Sequence, residues 1–168
     1  MFRFLFPRLT AEPRRGEAMF ESVTVEARAP HWYVEGQVPD TLDGRFAMLA
    51  TVAALVLCRL EQSGNDEASV ALTERFIEVM EAEHRELGLG DPTLGRTVRK
   101  LVGSLSRRVD LWREAIQTHE WIHATRDSVY AAIEPDLAAL DHTRSHLGQV
   151  WGRLQDLSDS EIAEGTLQ

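Results

Sequence analysis

The chain has 168 residues, 43% hydrophobic and 27% charged, which is enough for one domain with a real core and argues against disorder throughout. Its net charge of −9 argues against a general DNA- or RNA-binding protein, because phosphate contacts need a basic surface. The single cysteine, Cys58, lies in an apolar run, so a disulfide framework is excluded and a reducing compartment is compatible.

Residues 1–15 are predicted to be a flexible N-terminal segment, because residues 13–16 read Pro-Arg-Arg-Gly and resemble a linker. The first nine residues combine aromatic, leucine and arginine side chains. This pattern fits the end of an organelle-targeting segment, a small anchor at a membrane surface, or a frayed tail that covers the core. No membrane span is expected, because the longest uncharged run, Phe46 to Cys58, has 13 residues and a bilayer needs roughly 20.

Apolar residues recur at helical spacing along most of the chain, and no stretch alternates as a half-buried strand does. The sequence therefore predicts an all-α fold, a compact bundle of five to six helices with no sheet. The bundle is expected to occupy residues 16–157. The polar residues 158–168 are expected to form a loose C-terminal tail.

The first predicted helix covers about residues 17–29 and ends before a proline. The second begins at a cap on Asp40 or Thr41 and runs to about Glu61. Its body, residues 46–60, is apolar nearly all round. A helix without a polar face belongs in the middle of a bundle, so this helix is predicted to be the most buried one.

The third predicted helix follows a short turn at residues 63–66, runs to about Leu87 and ends at two glycines, which readily close helices. A fourth begins after residue 92 and carries an apolar stripe on one face. The helical signal continues beyond Thr118 to about Ile133, where a kink or a turn is expected. A last helix is predicted from about 136 to 157.

Basic residues concentrate on the fourth predicted helix. Between Arg96 and Arg108 there are five basic residues and no acidic one, so the rest of the chain carries −14. Such a stripe on an acidic protein fits a docking patch for lipid head groups, ribosomal RNA or an acidic partner, and it also fits a solvated helix face. The residues expected to dock on an anionic surface are Arg96, Arg99, Lys100 and Arg107.

Residues 119–123 read His-Glu-Trp-Ile-His and match H-E-x-x-H, in which two histidines on one helix bind zinc and the glutamate activates a water. The match needs a third ligand. In the longer form of the motif a glycine and a histidine follow at set offsets, and here those places hold Arg126 and Val129. His119 and His123 are therefore predicted to be free of metal.

A second histidine pair, His142 and His146, is also four residues apart on a predicted helix. If the last two predicted helices form a hairpin, His123 lies level with His146, but His119 lies further from the turn and His142 lies nearer to it. A site that uses all four histidines would need a different register between the two helices. The chain has no glycine-rich phosphate loop and no G-x-S-x-G elbow. The sequence thus predicts no catalytic residues, no metal and no cofactor, and a protein that is not an enzyme.

The segment Pro39-Asp-Thr-Leu-Asp-Gly-Arg-Phe46, followed by an apolar helix that ends in Cys58-Arg59-Leu60, resembles the core signature of the ubiquinol–cytochrome c chaperone family. A second block, Glu86 to Asp91, is similar to the family's acidic glycine loop. The basic helix around Val98 to Leu101 follows it in the family's order.

A third block agrees in part. Arg108 and Trp112 keep the family's arginine and the aromatic residue four positions later. Ser106 and Arg107 replace the aromatic residue and the glycine that the family has before this arginine. The resemblance covers about residues 20–116 well and is weaker up to residue 154.

This resemblance implies an all-helical, non-enzymatic assembly factor that helps newly made cytochrome b join ubiquinol–cytochrome c reductase. The implied partners are cytochrome b or another subunit of the cytochrome bc complex, with peripheral contact to a membrane or a ribosome, and no DNA. A bacterial protein of the cytoplasm, peripheral to the inner membrane, is expected, and the mitochondrial matrix or inner membrane is the alternative. Two other readings stay open: a generic helical module that binds a partner helix in a groove, and a metal-dependent hydrolase that uses His119 and His123.

The signature residues are expected either to contact the client or partner or to hold the scaffold: Asp40, Asp43, Arg45, Phe46, Asp91, Arg108 and Trp112. Asp40 and Asp43 are expected to cap a helix. Arg45 is expected to pair with one of them or with Asp91. Gly44 is expected to let a neighbouring helix approach closely.

Overall fold

The structure is a computed structural model that describes residues 14–88, 90–130 and 133–167, and for Asp91 only the backbone. The described residues form eight helices and no strand: α1 (Glu17–Ala27), α2 (Pro30–Tyr33), α3 (Leu42–Ser63), α4 (Asp66–Glu86), α5 (Asp91–Thr118), α6 (Trp121–Val129), α7 (Leu137–Asp156) and α8 (Asp159–Ala163). The predicted flexible segment 1–15 lies almost entirely outside the described residues.

The all-α prediction is confirmed, but the described part of the chain has more helices than the five to six expected. One extra helix is α2, a single turn that starts with Pro30 in its first position, where proline costs no hydrogen bond. A second arises because the C-cap residue of α5, His119, has a left-handed φ of 62°, so α6 is a separate helix and the helical signal does not continue unbroken beyond Thr118.

Helix α3 is the centre of the bundle, as the absence of a polar face predicted. The Thr41 hydroxyl caps its first turn, and Gly64 ends it with a φ of 72°. Thirteen of its 22 residues are buried, and it packs against α1, α4, α5, α6 and α7. By length and composition alone α3 would be able to cross a membrane, but 67% of its apolar window is buried within the bundle, as in the core helix of a globular domain.

The C-terminal residues differ from the loose tail that their polar composition predicted. Ser158 and Glu161 form a capping box that starts α8, and Ile162 and Leu167 are buried in the core. Arg59 of α3 holds this end in place. Its guanidinium donates to the carbonyl oxygens of Leu154 and Leu157 and to the carboxylate of Asp159. The segment is ordered by these two buried apolar side chains and by Arg59. The average composition of residues 158–168 is polar and does not indicate these contacts.

Helix α5 has two faces with different tasks. Its buried side chains, which include Leu105 and Trp112, face α3 and belong to the core. Its opposite face is exposed and carries Arg96, Arg99, Lys100 and Arg107. Helix α4 packs against α5, and both helices pack against α3. The part of the α5 surface that lies between its buried face and its exposed face therefore borders α4.

Candidate functional site

The signature segment forms an exposed corner at the start of α3. Arg45 Nε donates to Asp40 Oδ1 at 2.6 Å, and each side chain is more than half exposed. This hydrogen bond to Arg45 lowers the pKa of Asp40. Thr41 is the residue that caps the helix, and Asp43 lies in the first turn, where a negative charge favours the helix dipole. The predicted capping role of Asp40 is therefore wrong, and its carboxylate serves Arg45 instead.

Gly44 accommodates a close approach, but from a different group than expected. A Cβ atom at this position would overlap the carbonyl oxygen of Pro39, in the same segment, and not a neighbouring helix. The chain folds back onto the first turn of α3, and only a residue without a side chain fits there. The signature's proline and glycine thus belong to one tight backbone arrangement.

Apolar side chains surround this corner. Val34 is 69% exposed and Leu42 is 64% exposed. A shallow pocket of about 520 Å³ opens between Arg28, Tyr33 and the Asp40–Arg45 pair. The corner therefore offers one ion pair and a few apolar groups to solvent.

Arg108 is buried at the contact of α5 with α6. Its Nε and Nη2 atoms donate to the Ser128 carbonyl oxygen at 3.1 and 2.7 Å, and Nη1 donates to the Ser104 carbonyl at 3.2 Å and to the Ser104 hydroxyl. Ser128 is in the last turn of α6, where carbonyl groups lack helical partners and a cation is favourable. Burial lowers the pKa of Arg108 to about 10, so it stays charged at neutral pH. This arginine joins two helices.

Two aromatic signature residues also face inward. The Phe46 ring is partly buried, lies 6.1 Å from the Phe76 ring and has the Arg108 guanidinium carbon 5.9 Å from its centre. Trp112 is fully buried and packs edge-on against Trp121 at 5.1 Å. Their positions favour the scaffold role, and direct contact of the signature with a client stays a prediction. The expected pairing of Arg45 is confirmed with Asp40, one of the three partners proposed for it, and the Asp91 side chain lies outside the described residues.

The predicted docking stripe is exposed along the outer face of α5. We call Arg96, Arg99, Lys100 and Arg107 the basic stripe; all four are exposed, and none pairs with a carboxylate among the described side chains. At 100° per residue they fall within about 100° of one another around the helix. The stripe ends before Asp110 and Glu114, which are exposed on the same face.

An open groove of about 400 Å³ runs between α4 and α5, beside the basic stripe. Its apolar lining comes from α3, α4 and α5, namely Leu57, Val70, Val102, Leu105 and Val109. On its rim Arg113 donates to the carboxylates of Glu61 and Asp110 at 2.7 to 3.0 Å. Val70 of α4 lines this groove, and its side chain is 47% exposed. This groove is the surface that sequence reasoning missed.

The H-E-x-x-H match does not form a metal site of the expected geometry. His119 ends α5 with left-handed backbone, whereas His123 lies in α6, so the two histidines do not share one helix. His123 is 71% exposed and lies 3.3 Å from Asp127. The match is a coincidence of residue types across a helix boundary.

Three other histidines do converge. One ring nitrogen from each of His31, His142 and His146 lies within 4.8 Å of those of the other two. His31 comes from α2 and the other two from α7. Burial and the neighbouring imidazoles lower the pKa values of His31 and His142. The spacing of His142 and His146 was visible in the sequence, but His31 lies 111 residues from His142 and no local signal connects it to them.

Comparison with known proteins identifies the fold. The family model described as "Ubiquinol-cytochrome C chaperone" matches residues 34–168. The chain belongs to the ubiquinol–cytochrome c chaperone family. The crystal structure of the Cbp3 homolog from Brucella abortus is similar, with a TM-score of 0.70 and 26% sequence identity over 99% of this chain and 94% of that chain. No match is found among curated proteins.

Members of this chaperone family are non-enzymatic assembly factors of the cytochrome bc complex, and that function applies to this chain. The match begins at residue 34 and therefore includes the signature corner, the groove and the basic stripe. The chaperone's partners are components of the cytochrome bc complex. Among family residues noted in the sequence, Arg59 has the clearest structural task, since it fastens α8 to α3.

Proposed function

We propose that this chaperone holds cytochrome b during assembly of the cytochrome bc complex, with an apolar client segment in the α4–α5 groove. The same proposal places the basic stripe against the anionic surface of a bacterial inner membrane. One observation carries both parts. An apolar groove and an exposed cationic stripe lie side by side along α5.

The groove suits a client whose own surface is apolar. A membrane protein such as cytochrome b exposes helices that are apolar on the outside, and such a helix binds best to an apolar floor with a polar rim. The floor here includes Leu57, Val102 and Leu105, and the rim carries the ion pairs of Arg113. Val70 lies exposed at the groove and would gain most from being covered.

The stripe suits a membrane surface because of its position on an acidic protein. Anionic head groups attract the stripe and repel the acidic remainder, so the charge distribution orients the molecule with α5 towards the membrane. An orientation of this kind brings the groove close to the bilayer, where a newly inserted client is found. The surrounding negative charge disfavours the ribosome, whose phosphates extend over a much larger area than one helix face covers.

Deleting this protein is expected to lower the amount of assembled, haem-loaded cytochrome bc complex without lowering cytochrome b message, because a chaperone acts after transcription. The measurements are native-gel analysis of solubilised membranes and transcript quantification under respiratory growth. Normal levels of assembled complex in the deletion strain would contradict the function.

A matched pair of substitutions tests the groove in that strain. Val70→Asp places a charge in the groove at a side chain that is 47% exposed, and Val25→Asp does the same on α1 at a side chain that is 48% exposed. Both variants should fold. Val25→Asp is expected to restore the complex and Val70→Asp is not, because only the second charge would be buried under an apolar client. Equal rescue would remove the groove from the proposal.

Neutralising the basic stripe with glutamine at all four positions is expected to weaken binding to vesicles that contain phosphatidylglycerol. Each basic residue near an anionic surface contributes about 1 kcal/mol, so the four together give a loss of roughly a hundredfold to a thousandfold. Co-sedimentation at several salt concentrations measures it. Binding of the unchanged protein should fade with added salt, since the Debye length is about 8–10 Å near physiological ionic strength.

A control variant separates the stripe from net charge. Four basic residues outside it are at least partly exposed and can be changed to glutamine for the same change in net charge: Arg14, Arg28, Arg85 and Arg144. This control is expected to keep most of the vesicle binding. If both variants lose binding equally, or if phosphatidylcholine vesicles bind as well as anionic ones, the stripe is a solvated helix face.

A further inference from the structure

The three converging histidines lie where a short segment near the N-terminus packs on the last long helix. His31 is in α2, and its Nδ1 atom lies 3.1 Å from Nε2 of His142 in α7. The rings of His142 and His146 are 4.0 Å apart and tilted by 31°, and the His31 ring lies 4.6 Å from that of His146. All three side chains are partly buried, so one side of the group remains open to solvent.

The distances suit a small metal ion. A tetrahedral zinc ion with Zn–N bonds of 2.0–2.1 Å needs ligand nitrogens about 3.4 Å apart. The His31–His142 pair, at 3.1 Å, needs only a slight opening, and the other pairs are within 4.8 Å, a gap that small ring rotations can close. His142 and His146 are four residues apart and lie on the same face of α7, a spacing that lets two histidines bind one ion.

Hydrogen bonds to backbone carbonyl groups already orient the His146 ring and the neighbouring Trp32 ring. His146 Nδ1 lies 2.9 Å from the His142 carbonyl oxygen, so this nitrogen donates and Nε2 keeps its lone pair. A hydrogen bond of this kind is the usual support for a metal-binding histidine. On the inner side the group meets Trp32, which is fully buried and fixed by a hydrogen bond from Nε1 to the Glu26 carbonyl.

We propose that His31, His142 and His146 form a binding site for one divalent transition-metal ion of the zinc class, with a coordination position open to solvent. Three imidazoles select borderline ions such as Zn²⁺ and Co²⁺ over Mg²⁺ and Ca²⁺, which prefer oxygen ligands. A bound ion would connect α2 to α7 and so fix the segment that leads into the signature corner.

The nearby charges do not oppose a cation. The carboxylate of Glu35 acts electrostatically on both His31 and His142 in the sense that favours positive charge. Arg153 acts on His31 in the opposite sense, but it is paired with Glu26 at 2.7 Å, which offsets much of its charge. The site does not depend on the client groove or on the basic stripe, so the proposed function and this inference can fail separately.

Zinc binding to the untagged, chelator-treated, full-length protein tests the inference. Isothermal titration with Zn²⁺ is expected to show one equivalent per chain, and the midpoint of thermal unfolding should rise with Zn²⁺ but not with Mg²⁺. Changing His31, His142 or His146 singly to asparagine is expected to weaken binding at least about tenfold. His119→Asn and His123→Asn are matched controls outside the group and should bind as the unchanged protein does.

A second measurement needs no substitution and covers the case in which a variant fails to fold. In nitrogen-15 NMR of histidine rings, Zn²⁺ is expected to shift three of the six histidines of the unchanged protein. Absence of stoichiometric Zn²⁺ binding would overturn the inference. So would binding that persists in the His31→Asn and His142→Asn variants, or binding that is lost in His119→Asn or His123→Asn.

Discussion

Trp112→Ala is expected to lower the free energy of unfolding by about 3–5 kcal/mol, the usual cost of removing a buried tryptophan. Trp112 is fully buried and packs edge-on against Trp121, so alanine leaves a cavity between α5 and α6 and removes an aromatic pair. Denaturant unfolding followed by far-UV circular dichroism measures the loss. A domain of this size has limited stability to spare, and the variant should unfold at a much lower denaturant concentration.

Trp112→Phe is the control for this variant. The Trp112 Nε1 group is buried and has no hydrogen-bond partner among the described residues, so phenylalanine loses no hydrogen bond and removes an unpaired donor. Its cost should be less than half that of alanine. If Trp112→Ala kept its stability and lost complex assembly instead, Trp112 would be a client contact and its burial would not describe the working protein.

The positions of the signature residues explain why they look functional in sequence and structural in the fold. Arg108 is a charged signature residue that was expected either to contact the client or to hold the scaffold, and in the fold it serves the last turn of α6. Arg59 ties the end of α7 and the start of α8 to α3. A charged residue that satisfies carbonyl groups at helix ends is as hard to replace as a binding residue, because its loss leaves buried polar groups unpaired.

The sequence predicts those features that depend on local spacing. An uninterrupted apolar run identified α3 as the core helix, and the exposure of the basic stripe followed from its position opposite the apolar stripe of α5. The resemblance carried the family assignment, which the matching family model shows. The inferences on α3 and on the basic stripe each use residues within a few helical turns of one another.

The features that the sequence did not predict depend on contacts between distant segments. His31 meets His142 across 111 residues, and the groove at Val70 is lined by side chains from three helices, α3, α4 and α5. Helix α8 is ordered by Arg59 and by two buried side chains in a polar stretch. The H-E-x-x-H match failed for a local reason: a left-handed residue at His119 splits the motif between two helices.

Gly44→Ala is expected to destabilise the protein by about 2–4 kcal/mol, against the usual preference of helices for alanine. The new Cβ would overlap the Pro39 carbonyl oxygen, which is backbone and cannot move without opening the turn before α3. Opening it also separates Thr41 from the Gly44 amide that it caps. Thermal and denaturant unfolding measure the loss.

Gly103→Ala provides the control, since Gly103 lies within α5 and a Cβ there meets no described atom within 4 Å. Alanine should raise stability at this position by about 0.5–1 kcal/mol, because glycine loses more chain entropy on folding. The two substitutions are chemically identical and both lie in helices, so opposite signs isolate the contact with Pro39 as the cause. A stabilised Gly44→Ala variant would mean that the chain does not fold back over α3. The glycine of the signature would then be available for contact with a client.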